Sequence, residues 1–229
     1  MHAGLLLAKI TVYAAASLTN VFPQIDSSPQ YSFGGSNTLA AQIQLGAPAD
    51  VFASANTALP LQLWQKGLCT QPVVFTRNTL VLIVPKANPA GIHSAYDLQK
   101  PGVKLDVAAP GVPVGSYTRQ ILKNMALTSV LNNVVSNETD VREVLAKVSL
   151  GEADAGFVYV SDVTPTMRGK LRRISIPDDA NVIAAYPVAV AKNAPHADAA
   201  QAFVDFLLTR EGQAILVRHG FLPAEDSRP

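Results

Sequence analysis

Short apolar runs of strand character alternate with helix-spaced segments along almost the whole chain, and no other feature restricts the fold as tightly. "KITVYAAA", "ADVFASA", "NTLVLIVPK", "VKLDVAAP", "NNVVSN", "DAGFVYVSDV", "RRISIP" and "NVIAAYPVAVAK" read as strands. Between them, "NTLAAQIQLG" puts Leu39, Ala40 and Ile43 on one helical face, with Gly46 as its stop. "LPLQLWQKGL" and the Gly/Pro loop and helix "GVPVGSYTRQILKNM" follow the same logic. In "ETDVREVLAKVSLGEA", Val141, Val144, Leu145 and Val148 fall at i, i+3, i+4 and i+7. The closing "HADAAQAFVDFLLTREGQAILVRHGF" reads as helical, with an apolar stripe of Ala202, Phe203, Phe206 and Leu207. Pro23 keeps the helix after Ser17 short or kinked. Strands alternating with helices imply an α/β fold with mainly parallel sheets.

The chain has 229 residues, 48% of them hydrophobic, enough for one large domain or two lobes of about 100 residues each. Pro85 and Pro187 stand in strands that are natural crossing points between lobes. A chain crossing out at one and back at the other makes one lobe from residues 9–84 with 187–229, and the second from residues 85–186.

The formal net charge is +1 and the basic residues are scattered, which disfavours a nucleic-acid groove; an aromatic content of 7% disfavours base stacking. Cys69 stands alone and is expected to be a small buried residue near a helix end. The apolar start "MHAGLLLAKITV" is too short to span a bilayer and lacks the features of a full secretory signal, so the chain reads as soluble; an exported protein without its leader would look the same.

Enzyme signatures are weak. "GGSNT" has Thr38 where a nucleophile elbow needs glycine, and "GVPVGS" lacks the lysine of a phosphate loop. His2, His93, His196 and His219 are far apart; His219 is most simply a cation at a helix C-terminus. Asp178/Asp179 and Glu225/Asp226 read as solvated. No catalytic residue, metal cluster or cofactor is predicted.

What remains is a set of helix starts beyond strand ends, where ligands collect in open α/β sheets. They lie at Ser17, at Ser36, in "VPVGS" and at "ETDV". A helix N-terminus offers unpaired N–H groups and a positive dipole end, so several converging would hold an anion without lysine or arginine. Taken singly, each serine is an N-cap. The small residues before them, "AAA" and "GG", add something a cap does not need, because they let a ligand approach the backbone closely. Tyr159, at the end of an apolar strand, is either a ligand donor or a buried tyrosine paired to backbone, and spacing does not choose.

"ITVYAAASLTN", "SFGGSNTLAAQIQLGAPADVFASA", "NTLVLIVPK", "TDVREVLAKVSLGEADAGFVYVSD", "YPVAVAK" and "GQAILVRHGF" together resemble the periplasmic molybdate-binding proteins, substrate-binding components of molybdate ABC transporters. The resemblance covers nearly the whole chain after the first eight residues. It implies a two-lobed type II periplasmic binding protein fold with two interlobe crossings and a ligand cleft between the lobes. Carried over by position, it makes the Ser17 and Ser36 hydroxyls, the Val114 and Val141 backbone N–H groups and the Tyr159 hydroxyl the donors to a tetrahedral oxyanion. Molybdenum would be bound only as that oxyanion. The resemblance further implies molybdate and tungstate as ligands, a membrane permease as partner, a periplasmic location and a monomer. The segment between Ile25 and Ser32, which runs from Asp26 through Pro29 to Tyr31, is shorter than the family usually has.

Three other functions compete: a carrier for sulfate or another tetrahedral oxyanion, an oxyanion-sensing module, and a hydrolase using Ser17 or Ser36. The hydrolase requires a histidine positioned as base near either serine.

Overall fold

A computed structural model describes residues 9–224. In chain order it contains β1 (Thr11–Ala15), α1 (Phe22–Ile25), β2 (Gln30–Gly34), α2 (Ser36–Gln44), β3 (Val51–Ala53), α3 (Ala58–Gln65), β4 (Val73–Pro85) and β5 (Leu105–Ala108). Then follow α4 (Pro113–Asn124), β6 (Val134–Glu138), α5 (Val141–Leu150), β7 (Ala155–Tyr159), β8 (Leu171–Ile174), β9 (Ile183–Val190), α6 (Ala197–Leu208) and α7 (Arg210–Arg218).

The strand order is β2-β1-β3-β9-β4-β7-β5-β6, with β8 also paired to β4. β1 pairs in parallel with β2 and β3, and β5 with β6 and β7, as strand–helix alternation predicts. Every antiparallel pair involves β4 or β9, so the sheet as a whole is mixed. The reason lies in the path of the chain. β4 pairs with β9 from Val73 to Thr79, then with β7 and β8 from Leu80 to Pro85, so it carries the chain from one half to the other. β9 brings it back, and an outgoing strand beside its return must run antiparallel.

The expected helix faces hold for α2, where Leu39, Ala40 and Ile43 are buried, and for α5, where Val141, Val144, Leu145 and Val148 are. The end of the chain differs. α6 buries Ala200, Phe203, Val204 and Leu207, so its apolar stripe is turned away from Ala202, which is exposed. On that face Phe203 makes an edge-on contact with Phe22 at 5.5 Å. The closing helix is also two helices, broken at Thr209, whose backbone is extended and whose hydroxyl accepts the Gly212 N–H at 3.1 Å to start α7. A β-carbon at position 212 would collide with the Phe206 carbonyl, so glycine is what lets the two helices meet at that corner.

α1 is a single turn with Pro23 in its first positions, as Pro23 predicts. Cys69 is buried behind α3 beside Ala191, and burial pushes its thiol up to about 11. Asp178 and Asp179 are exposed, as expected, whereas His2, Glu225 and Asp226 lie outside the described residues. His219 does follow α7, but burial and the adjacent Arg218 lower its pKa, against the expected cation.

Candidate functional site

The sheet topology gathers the ends of β1, β2, β5 and β7 around one small cavity. It is lined by Ala15, Ala16, Ser17, Gly34, Gly35, Ser36, Ala55, Val112, Pro113, Val114, Asp140, Val141 and Tyr159. All five residues singled out from the sequence are there. Ser17 and Ser36 come from the β1–β2 side, and Val114, Val141 and Tyr159 from the β5–β7 side. The space between these atoms, mouth included, is about 210 Å³. The part of it open to the centre of a water-sized sphere is only about 10 Å³, so the site has room for one small group and none for a drug-sized molecule.

Neither serine is the helix cap that its position suggests. Ser17 sits inside a three-residue 3-10 turn, Ala16–Leu18, followed by the single turn of α1, so no helix dipole builds up behind it. Its hydroxyl is instead 2.9 Å from the Tyr186 hydroxyl on β9. Ser36 is the first residue of α2, with Gly35 in the cap position, and its Oγ accepts the Ala55 N–H at 3.1 Å. That acceptance leaves the Ser36 hydrogen to donate elsewhere.

The remaining helix ends are those of α2, α4 and α5. α4 has no side-chain cap and opens with Pro113, which has no N–H, so the Val114 N–H is the first donor at that end. Gly115 lets this end sit against the end of β5, because a β-carbon there would strike the Ala108 and Ala109 carbonyls. In α5 the Asp140 carboxylate accepts the N–H groups of Arg142 at 2.7 Å and Glu143 at 3.2 Å, leaving the Val141 N–H to the cavity. Among the described residues Asp140 is the one carboxylate lining the cavity, and it is turned to its own helix. Its pKa is raised, mainly by burial, against the lowering effect of those backbone bonds.

Tyr159 is 1% exposed, and its hydroxyl has no partner in hydrogen-bonding geometry among the described residues. Burial first, then nearby Tyr186, Tyr117 and Asp162, raise its pKa well above the ordinary tyrosine value, so it stays a neutral O–H donor. A fully buried hydroxyl without an acceptor is costly and marks a place where a ligand acceptor fits. Its ring is held edge-on to Tyr186 at 5.6 Å. Beneath it, Asp162 accepts the Tyr159 N–H at 3.0 Å; burial pushes its carboxyl up to about 7.

Among the described residues, no lysine, arginine or histidine lines the cavity. Among the described residues, no group of three or more His, Cys, Asp or Glu is arranged to hold a metal ion. His93 is exposed and His196 pairs with Asp50 at 3.3 Å, so neither serves a serine as base. Sequence reasoning missed Ala55, Asp140 and Tyr186, while Gly35 was singled out only as part of the "GG" before Ser36. Asp140 was findable as the cap three residues before Glu143 in "TDVRE". Gly35 acts through a contact across the cavity, since a β-carbon there would strike the Thr139 carbonyl before α5. No local pattern reveals such a contact.

The profile of the bacterial extracellular solute-binding protein family matches residues 10–222. The molybdate-binding protein ModA of Mycobacterium tuberculosis H37Rv is 39% identical over 222 residues, covering 93% of this chain and 84% of that protein. ModA of Escherichia coli K12 is 32% identical over 237 residues, covering 93% and 88%. Among solved structures, the periplasmic molybdate-binding protein of Azotobacter vinelandii shares the fold with a TM-score of 0.83, at 20% identity, over 93% of this chain and 99% of that one. The mixed sheet with flanking helices is therefore that of periplasmic binding proteins, and the chain belongs to the family of bacterial extracellular solute-binding proteins.

Proposed function

We propose that this protein is the substrate-binding component of a molybdate ABC transporter: it captures molybdate, and tungstate with it, and delivers the oxyanion to a membrane permease. The observation that carries the reading is the buried Tyr159 hydroxyl without an acceptor, beside two serine hydroxyls and three helix N-termini at one small cavity. In this reading Ser17, Ser36 and Tyr159 donate O–H, and Val114 and Val141 donate backbone N–H. Molybdate and tungstate are bound as intact oxyanions, with no cofactor and no chemistry done on them. The close match to the ModA proteins over most of the chain supports this ligand above sulfate.

Neutral donors suit a fully unprotonated dianion. Hydrogen phosphate brings a proton that needs an acceptor, and the one cavity carboxylate is already engaged at the start of α5. Sulfate presents the same acceptors as molybdate, so only cavity size distinguishes them. The hydrolase alternative requires a histidine base beside a serine, and among the described residues none lines the cavity.

The lobes proposed are residues 9–84 with 187–229, and 85–186. The change of sheet partner within β4, at Thr79/Leu80, supports a crossing in that strand, a few residues before Pro85. Ligand contacting both lobes would stabilise the closed arrangement, the form a permease recognises. Location outside the cytoplasmic membrane and action as a monomer belong to the same proposal. Among the described residues no helix is long and apolar enough to cross a membrane.

Thermal unfolding of ligand-free protein with molybdate, tungstate, sulfate and phosphate added separately tests the reading. A ligand at about 100 times its Kd adds roughly 2.7 kcal/mol, a rise on the order of 5–10 °C for a protein of this size. Shifts with molybdate and tungstate alone are expected. A shift with sulfate of equal size removes the specificity, and no shift with any oxyanion removes the carrier function.

A further inference from the structure

A second concavity lies apart from the donor set above. It opens between the turn that follows β7 (Val160–Asp162) and the end of α7, and it shares no lining residue with the first cavity. The part of it open to the centre of a water-sized sphere is about 310 Å³. Gly220 permits the close approach of the two segments: its φ is +87°, and a β-carbon there would stand 3.4 Å from the Ser161 Cα. Arg168, Arg173, Arg218 and His219 line the space, and among the described residues no carboxylate does.

These arginines differ from others on the same chain. Arg172 donates to the Lys86 carbonyl at 2.7 Å, and Arg119 to the Ala108 and Gly115 carbonyls at 2.9 and 2.8 Å. Arg168, Arg173 and Arg218 are exposed, and among the described residues their side chains have no hydrogen-bond or ion-pair partner. Like charges around one recess repel, and an anion placed between them turns that repulsion into attraction. The same surroundings act on His219, whose pKa is lowered by burial and then by Arg218. Ser161 gives an independent sign of a ligand. It is 7% exposed, its oxygen accepts from the Asn78 side-chain amide at 2.8 Å, and among the described residues no group accepts its hydrogen. A buried hydroxyl in that position has its hydrogen to give to an occupant of the cavity.

We propose that this recess is a second anion site, for a small molecule carrying two linked phosphoryl groups, with Arg168, Arg173 and Arg218 binding its oxygens and Ser161 donating its hydroxyl. The volume is at the lower end of the roughly 300–1,000 Å³ of small-molecule sites, and a recess suits such a molecule better than the flat acidic face of another protein. Guanidinium forks match phosphoryl oxygens two at a time, so three of them offer more donors than a single phosphoryl group fills. Arg168 and Arg173 belong to the segment between β7 and β9, and Arg218 to the end of α7, so the bound anion ties these two segments together. The inference does not depend on molybdate carriage.

The test is calorimetric titration of the whole protein with pyrophosphate, and separately with inorganic phosphate, with and without molybdate. Pyrophosphate is expected to bind with a Kd at or below about 1 mM, more tightly than inorganic phosphate, and equally well when molybdate is present. Arg173→Gln and Arg218→Gln should each weaken it on the order of 5-fold, a modest loss because the groups are exposed. Ser161→Ala should weaken it also, which a mere excess of positive charge does not explain. Arg172→Gln removes a neighbouring charge that does not line the recess and should leave the Kd unchanged. No binding of pyrophosphate, competition with molybdate, equal affinity for inorganic phosphate, or a loss in Arg172→Gln as large as in Arg173→Gln each overturns the inference and leaves the carrier reading standing. A protein that binds pyrophosphate in this pattern but no molybdate overturns the carrier reading alone.

Discussion

Removing the Tyr159 hydroxyl should strengthen the empty protein and weaken the filled one. The oxygen is buried without a partner, so the ligand-free protein carries an unmet desolvation cost of about 1–3 kcal/mol that Tyr159→Phe relieves. The ring remains, with its edge-on contact to Tyr186 at 5.6 Å, so little packing is lost. At this chain length each kcal/mol moves Tm by about 2–4 °C, and the ligand-free variant should melt several degrees above wild type. Binding should change in the opposite sense. A hydrogen bond to a charged acceptor contributes about 1.5–3 kcal/mol, so the variant should bind molybdate roughly 10- to 150-fold more weakly. Scanning calorimetry of the ligand-free proteins gives the first quantity and titration calorimetry the second. A variant that melts below wild type and binds as tightly would show that the hydroxyl is satisfied inside the protein, and the reasoning would fail at its first step.

Three further outcomes follow from neighbouring groups. Ser36→Ala removes a donor and also leaves the Ala55 N–H without its acceptor, so it should lower both affinity and ligand-free stability, the latter by about 1–3 kcal/mol; chemical denaturation should show this opposite sign to Tyr159→Phe. Gly35 has φ −60°, which any residue adopts, but a β-carbon there meets the Thr139 carbonyl, a backbone atom that has to shift; Gly35→Ala should therefore lower the ligand-free Tm and reduce molybdate affinity at least about 10-fold, and a wild-type Tm and Kd would refute the proposed contact. Burial raises the Asp162 carboxyl to about 7, above its unfolded value near 4. The folded state therefore holds that proton more tightly, and its contribution is present at low pH and lost as pH rises from about 4 to about 7, by up to roughly 1.4 kcal/mol per pH unit. Tm measured across that range should decline less in Asp162→Asn than in wild type, and parallel curves would exclude this origin.

The periodicities of the chain carried much of the architecture without help. The stripe of Val141, Val144, Leu145 and Val148 specifies α5, and Leu39, Ala40 and Ile43 specify α2, because a helix buries one face whatever it packs against. Parallel pairing within β1–β3 and β5–β7 follows from the helices between the strands. Where several faces compete, local pattern does not suffice. Ala202 is as apolar as Ala200, and only the surfaces α6 packs against, Phe22 among them, decide which of the two is buried.

The site divides along the same line. Small residues before Ser17 and Ser36, and a loop opening a helix at Val114, are local signals of backbone open to a ligand, and these the sequence determined by itself. Whether a hydroxyl caps a helix, accepts from Ala55 or meets Tyr186 depends on residues 19 and 169 positions away. Tyr159 belongs with these, since a tyrosine at a strand end is ordinary until its surroundings deny it an acceptor. Hydrogen-bond direction is a property of the whole set of neighbours around an atom, and those neighbours arrive from distant parts of the chain. The tertiary structure alone decided which of these atoms meet, by bringing the ends of β1, β2, β5 and β7 together around the one small space where the donors lie.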